Sequence, residues 1–121
     1  MKLVRFGNPG AEKPGLIDGN GAIRDLSAHV ADFTGANLSP AMLDKLRAID
    51  PASLPAAPAG VRLGAPVAGT RNFVAIGLNY ADHAKETGQE IPAEPILFNK
   101  APTCICGPND DIMYPKNSDR M

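Results

Sequence analysis

The sequence has little of several features that mark common classes of protein. Its 12 Lys and Arg residues against 13 Asp and Glu give a formal net charge of -1, so the basic surface of a nucleic-acid binder or of a membrane-surface protein is missing. No apolar run approaches the ~18 residues of a membrane-spanning helix, and the first residues lack the apolar core of a signal peptide. We therefore expect no nucleic-acid partner, no membrane and a cytoplasmic location.

Cysteine is scarce as well, because the chain holds only Cys104 and Cys106. Two cysteines cannot form a disulfide framework, and at this spacing they would pair only with strain. They could begin a zinc site, but no second Cys or His pair completes a set of four ligands. We therefore interpret both as packing residues.

Glycine and proline are abundant instead, with 12 of each among 121 residues. This share is well above the usual ~12% for the two together, so it predicts many turns, short elements and a thin core. It excludes long helical bundles and coiled coils.

The first half of the sequence predicts a small α+β domain over residues 1–60. Residues 2–6 alternate in polarity like an edge strand, and residues 15–26 place an Asp-Gly-Asn-Gly turn between two apolar stretches, which is typical of a hairpin. The proline- and alanine-rich residues 50–60 predict a semi-extended linker at the end of this domain.

A helix is predicted between the hairpin and the linker. Ser39 can cap it, and Pro40 fits its first turn. Its buried stripe is predicted from apolar residues at helical spacing: Met42, Leu43, Leu46 and Ile49.

The second domain is predicted over residues 61–121. The continuous apolar run at residues 72–78 indicates a buried strand, after which Asn79 can cap a short helix that stops near Gly88. Further strands are predicted at residues 96–98, 103–106 and 111–114.

The short helix carries the best candidates for chemistry, His83 and Glu86. Residues three apart share one helix face, and a glutamate can orient a histidine that takes a proton from water. The alternative is a chance pair on a surface helix. Lys100 follows a predicted strand, where it could bind a substrate carboxylate or be an ordinary solvated charge.

Other polar residues favour structural interpretations. Asp110 and Asp111 resemble a metal-binding pair, but the sequence around them is that of a turn. Residues 7–10 also form a turn sequence, without the lysine of a phosphate loop. His29 is interpreted as a surface or packing residue.

Several motifs together resemble the fumarylacetoacetate hydrolase family, and they cover essentially the whole chain. Residues 77–83 (GLNYADH) resemble the opening of the family's catalytic domain, and residues 94–100 (EPILFNK) and 107–108 (GP) follow in the expected order. Residues 13–16 and 24–26 resemble the N-terminal domain of bacterial members.

This resemblance implies a fold, cofactors and a reaction. The expected fold is α+β, with a small N-terminal α+β domain followed by the first part of a mainly-β catalytic domain. Family members are often homodimers, bind Mg²⁺ or Mn²⁺ through acidic side chains, and act on 2-oxo acids. Their typical reaction is hydrolysis of a C–C bond in 2,4-dioxo acids of the acylpyruvate type.

The resemblance also implies roles for particular residues. His83 and Glu86 would be the dyad that activates water, and Lys100 would bind substrate. The family's metal ligands are expected beyond Met121, so no metal ligand is assigned in this chain. We accordingly expect the isolated chain to be inactive and to be a fragment, or one piece of a longer or nicked enzyme. The rest of the catalytic domain would then lie in the parent chain or in a companion chain.

Two alternatives stay open. The same scaffold could decarboxylate or isomerise 2-oxo acids or cleave ureidoglycolate. The chain could also be a non-catalytic module that pairs through the open edge of its sheet.

Overall fold

The computed structural model describes residues 1–117, which form two compact units. The first unit contains Met1–Gly69 and residues 106–117, and the second contains Thr70–Ile105. Compactness does not fix where a domain begins in evolution, so the boundary after residue 60 stays a prediction. None of the helices in residues 1–117 is long and apolar enough to cross a membrane.

Both units combine helix and strand, which confirms the predicted α+β class. The strands and α-helices, in chain order, are β1 Lys2–Phe6, β2 Lys13–Ile17, β3 Ile23–Asp25, α1 Pro40–Arg47, β4 Phe73–Gly77, α2 Ala81–Glu86 and β5 Ile96–Lys100. Single 3₁₀ turns lie at Gly35–Asn37, Pro51–Ser53 and Pro102–Cys104.

The first unit is built on an antiparallel sheet in the order β1-β2-β3. The predicted hairpin joins β2 to β3, and Asp18 organises its turn by accepting hydrogen bonds from the backbone N–H groups of Asn20 (2.9 Å) and Ala22 (3.0 Å). Gly21 adopts a φ of 83°, a left-handed conformation that glycine takes without steric cost.

Helix α1 begins as its sequence predicts. The Ser39 hydroxyl accepts a hydrogen bond from the Met42 N–H at 3.3 Å, and Pro40 occupies the first turn. Leu46 is 2% exposed and joins a core whose other buried members are Leu16, Leu26, Val30, Phe33 and Leu54. Met42 and Ile49 pack against this core at its margin.

The proline- and alanine-rich stretch packs along β3 within the first unit. The Asp25 N–H donates to the Pro55 carbonyl and the Ala57 N–H to the Ile23 carbonyl, both at 2.8 Å. Leu54 is buried in the core. The stretch is therefore partly extended, and it takes part in the sheet of the first unit.

The second unit holds a two-stranded antiparallel ribbon of β4 and β5, in which Gly77 pairs with Ile96 at one end and Phe73 with Lys100 at the other. The predicted strand is confirmed, but its predicted burial is wrong, because Val74 is 63% exposed. The strand is exposed because the ribbon carries apolar side chains on both faces, and the six-residue helix α2 is too short to cover them.

Three further predictions are wrong. Residues 103–106 form no strand, because Pro102 opens a 3₁₀ turn that ends at Cys104, and proline cannot donate a ladder hydrogen bond. Residues 111–114 are irregular. Cys104 and Cys106 are both exposed free thiols, so neither is the packing residue that was predicted.

Candidate functional site

The turn that leads from β4 into α2 has an unusual backbone. Leu78 follows the last residue of β4 and has a φ of 47°, the left-handed region that favours glycine. Tyr80, without a side-chain hydrogen bond, is the N-cap of α2. The prediction that Asn79 caps this helix is therefore wrong, because the left-handed turn moves the helix start one residue further along the chain.

Helix α2 ends where the sequence predicts. Gly88 has a φ of 67°, and its N–H donates to the Lys85 carbonyl at 3.2 Å, while the Gln89 N–H donates to the Ala84 carbonyl at 2.8 Å. These bonds satisfy carbonyls that the helix end would leave unpaired. The short helix therefore has a defined end despite its length of six residues.

His83 and Glu86 lie one turn apart on α2, and both are exposed, whereas Ala84 between them is 1% exposed. The His83 carbonyl accepts hydrogen bonds from the N–H (3.0 Å) and the hydroxyl (2.9 Å) of Thr87. Because both residues are exposed, solvent can reach their side chains. Within the described chain, no hydrogen bond joins the two side chains.

Lys100 lies at the opposite end of the ribbon from this turn. It is the last residue of β5 and pairs with Phe73, four positions from the Gly77–Ile96 pair, which corresponds to about 13 Å along the strand. Its ammonium group lies 5.7 Å from the centroid of the Phe98 ring, close enough for a cation–π interaction. Phe98 is the next residue toward Ile96 on the same face.

An open cavity of about 330 Å³ lies beside the β4–α2 turn. It is lined by residues 76–79 from the end of β4 and the following turn, and by residues 91–95. These residues include parts of both motifs that carry the family resemblance. Both motifs are visible in the sequence, but no local pattern indicates that they line a common cavity.

A cluster of paired charges in the first unit was also missed. The Arg62 guanidinium donates two hydrogen bonds to the Asp110 carboxylate, at 2.7 and 2.6 Å, and one to Glu12 at 3.0 Å. Arg5 in turn donates to the Asp32 carboxylate at 2.7 and 3.0 Å, and it lies 3.6 Å from Glu12. Nothing in the local sequence indicates pairs separated by up to 50 residues.

These contacts change the proton affinity of the carboxylates. The hydrogen bond from Arg62 lowers the pKa of Glu12, and the paired bonds from Arg62 lower that of Asp110. Asp110 also accepts a hydrogen bond from the Gly107 N–H at 2.7 Å, and its own N–H donates to the Gly107 carbonyl. The interpretation of this segment as a turn is confirmed, and Asp110 closes that turn while it binds Arg62.

Metal binding is not supported by the side chains present. Among residues 1–117, no three His, Cys, Asp or Glu side chains lie close enough together to hold a metal ion. The described residues therefore do not fit Mg²⁺ or Mn²⁺, which prefer several oxygen ligands around one point.

Comparison with known proteins shows which family this chain is similar to. The model of the fumarylacetoacetate (FAA) hydrolase C-terminal domain matches residues 72–121. A provisionally named hydrolase of Burkholderia ambifaria is 57% identical over 98% of this chain and 42% of its own length, and one from Burkholderia multivorans is 56% identical over the same shares. A crystal structure of a provisionally named HpcE protein from Mycobacterium smegmatis matches with a TM-score of 0.71 at 28% identity, over 96% of this chain and 41% of that one.

The fold and these relatives place the chain among α+β proteins related to hydrolases. More particularly, the family model, the relatives and the similar structure all support the fumarylacetoacetate hydrolase family for this partial chain, in agreement with the resemblance of its motifs. The chain spans about two fifths of the length of the curated relatives that it matches.

Proposed function

We propose that this chain contributes to the active site of a cytoplasmic hydrolase that cleaves a C–C bond in 2,4-dioxo acids of the acylpyruvate type. The observation that carries the proposal is the geometry of α2. This helix follows β4 directly and presents an imidazole and a carboxylate one turn apart, both exposed. The match of residues 72–121 to the fumarylacetoacetate hydrolase C-terminal domain supports the class of reaction.

In the proposed mechanism, Glu86 orients the His83 imidazole and stabilises its protonated form. His83 takes a proton from water, and the resulting hydroxide attacks the carbonyl at C4 of the substrate. The C3–C4 bond then breaks, and its electron pair passes to C3 as the enolate of the 2-oxo acid. Protonation of C3 by the imidazolium completes the reaction, which consumes one water and yields a carboxylic acid and a 2-oxo acid.

Lys100 is proposed to bind the substrate carboxylate. Its ammonium group is exposed at the end of β5 and lies over the Phe98 ring. An ammonium group pairs well with a carboxylate, and an aromatic surface below it limits the positions that it can take. Its role would be to bind and orient, with no part in proton transfer.

A divalent cation, Mg²⁺ or Mn²⁺, is part of the proposal, but the described residues do not fit it. We expect its ligands in polypeptide beyond Met121, as the resemblance implies. No step of the mechanism above is therefore derived through the metal.

The exposed apolar side chains of the β4–β5 ribbon are an argument for a further polypeptide partner. Phe73, Ile96 and Phe98 lie on one face and Ile76 and Leu97 on the other, and all five are at least 40% exposed. An isolated two-stranded ribbon is marginally stable in water, so both faces call for a covering layer. We propose that polypeptide equivalent to the remaining length of the relatives supplies it, and that the assembled protein is a homodimer.

The experiment is product analysis on the native protein with every polypeptide that co-purifies. With Mg²⁺ and acetylpyruvate, we expect one acetate and one pyruvate for each substrate consumed. Release of CO₂, or isomerisation without cleavage, would contradict the hydrolytic assignment. Intact mass measurement of the same sample identifies any companion chain.

The dyad has its own test. Glu86→Gln keeps the size of the side chain and removes its charge, and we expect kcat to fall by about 10²–10⁴-fold. Glu90→Gln, an exposed substitution just beyond the end of α2, is the matched control and should change kcat little. Equal kcat values for the two variants would exclude the proposed role of Glu86.

A further inference from the structure

The chain leaves the first unit, forms the second over residues 70–105, and then returns to the first. The departing end is held by backbone pairing along β1. The Gly7 N–H donates to the Arg62 carbonyl at 2.9 Å, and the Gly64 N–H donates to the Arg5 carbonyl at 2.8 Å. This attachment is part of the sheet, so it opens only when the edge of the sheet is exposed.

The returning end, residues 107–110, is held in a different way. The Arg62 guanidinium donates two hydrogen bonds to the Asp110 carboxylate, at 2.7 and 2.6 Å. In the described chain, these two bonds are the hydrogen bonds that join residues 107–110 to the rest of the first unit. A side-chain attachment of this kind can break while the backbone ladder of the sheet stays formed.

Gly107 completes the attachment by close contact. It is buried, and a Cβ added to it would overlap with the Leu63 carbonyl oxygen. Glycine is the residue that allows such a close approach of two backbones. Residues 107–110 are therefore held by one pair of charge-assisted hydrogen bonds and by one tight backbone contact.

We infer that residues 107–110 form a latch, which opens and closes on the Arg62 guanidinium while the sheet and the core of the first unit stay folded. Arg62 is held independently of the latch, because its guanidinium also donates to the Glu12 carboxylate and to the Gly7 carbonyl, both at 3.0 Å. The surface that receives the latch therefore persists when the latch is open.

The latch also determines how the chain continues from the first unit. Ile112 and Met113 follow shortly after Asp110, and both are exposed. With the latch closed, this apolar segment starts from a fixed point on the first unit. With the latch open, the segment is released together with residues 107–110.

The test is amide hydrogen exchange, measured by NMR on the ¹⁵N-labelled full chain. We expect the Gly107 and Asp110 amides to exchange through an opening at least about tenfold more frequent than the opening that exposes the Gly64 and Asp25 amides, which are bonded within the first unit. Equal protection of all four amides would mean that the segment opens only when the whole unit unfolds, and it would overturn the inference.

Arg62 variants test the hydrogen bonds of the latch. Arg62→Gln should speed exchange at Gly107 and Asp110 about tenfold or more, because two charge-assisted hydrogen bonds are lost. Arg62→Lys should do nearly the same, since an ammonium group keeps the charge but lacks the planar fork. Arg47→Gln is the matched control, because Arg47 pairs with Asp44 at 2.6 Å on the exposed face of α1. Unchanged exchange in Arg62→Gln, or equal acceleration in Arg47→Gln, would overturn the inference.

A glycine variant opens the latch with every charged group in place. Gly107→Ala should speed exchange at Asp110 about tenfold or more while Gly64 stays protected, because the added methyl group cannot fit against Leu63. Gly19→Ala is the matched control, since Gly19 has open space around its Cα and no positive φ. Gly107→Ala should add little to the effect of Arg62→Gln, because both changes open the same latch. Fully additive effects in the double variant, or no effect of Gly107→Ala, would contradict the latch.

Discussion

The backbone strain at Leu78 gives a prediction that can be worked out from one dihedral angle. A left-handed conformation costs an L-residue about 1–2 kcal/mol, and Leu78 adopts it with a φ of 47°. Alanine at this position would keep the cost and lose the contacts of the half-buried side chain. Glycine would lose the same contacts but would remove the cost of the left-handed backbone. Its more flexible unfolded chain would in turn destabilise the folded state by about 0.4–1 kcal/mol.

We therefore expect Leu78→Gly to be more stable than Leu78→Ala by about 0.5–1 kcal/mol. The measurement is native-state hydrogen exchange at the amides of β4 and β5, which reports the local stability of the ribbon. Gly88→Ala is a control in which a left-handed glycine is replaced by an L-residue, because Gly88 has a φ of 67°. This variant should lower the stability of the second unit. Gly35→Ala should be close to neutral, since Gly35 has no positive φ and open space around its Cα. Equal stability of the two Leu78 variants would refute the reasoning.

Two further predictions concern the first unit. Arg62 lowers the pKa of both Glu12 and Asp110, so these carboxylates bind protons more weakly in the folded state. Their contribution to stability is therefore full above the ordinary values and is lost as the pH falls through the lowered ones. The urea concentration at the unfolding midpoint should decrease as the pH is lowered below about 4.5, the ordinary pKa of Glu12. Arg62→Gln should make this decrease with pH less steep. An equally steep decrease in the Arg62→Gln variant would contradict the account. Leu46→Ala should cost about 2–5 kcal/mol in urea unfolding, and Leu43→Ala, at a half-buried position of the same helix, clearly less; equal costs would show that Leu46 is not a core residue.

The local signals in the sequence predicted the first unit well. Ser39 and Pro40 define the start of α1, and the turn around Asp18 defines the hairpin, because caps and turns depend on neighbouring residues alone. The same kind of signal failed at Asn79. A cap assigned from residue type assumes an ordinary backbone before it, and the left-handed Leu78 shifts the start of the helix.

Burial and long-range pairing were harder to predict. The apolar run over β4 indicates a strand that requires cover on both faces, but it does not indicate whether this chain supplies that cover, and Val74 is exposed. The Arg62 cluster joins residues up to 50 positions apart, and no local pattern encodes such a pairing. The cavity at Leu78 likewise depends on how two separate motifs pack. The roles of His83, Glu86 and Lys100 come from the resemblance and stay predictions.

The most direct test of the central claim is the turnover of acetylpyruvate by the native protein after substitution of each of the two histidines in this chain. His83 lies on α2, and His29 is an exposed residue of the first unit. His29→Ala is therefore the matched control, because it removes the same side chain from another exposed position. With Mg²⁺ and all co-purifying polypeptides present, we expect His83→Ala to lose at least 10²-fold in kcat and His29→Ala to retain normal turnover. Normal turnover by His83→Ala would contradict the claim that this chain carries the base that activates water.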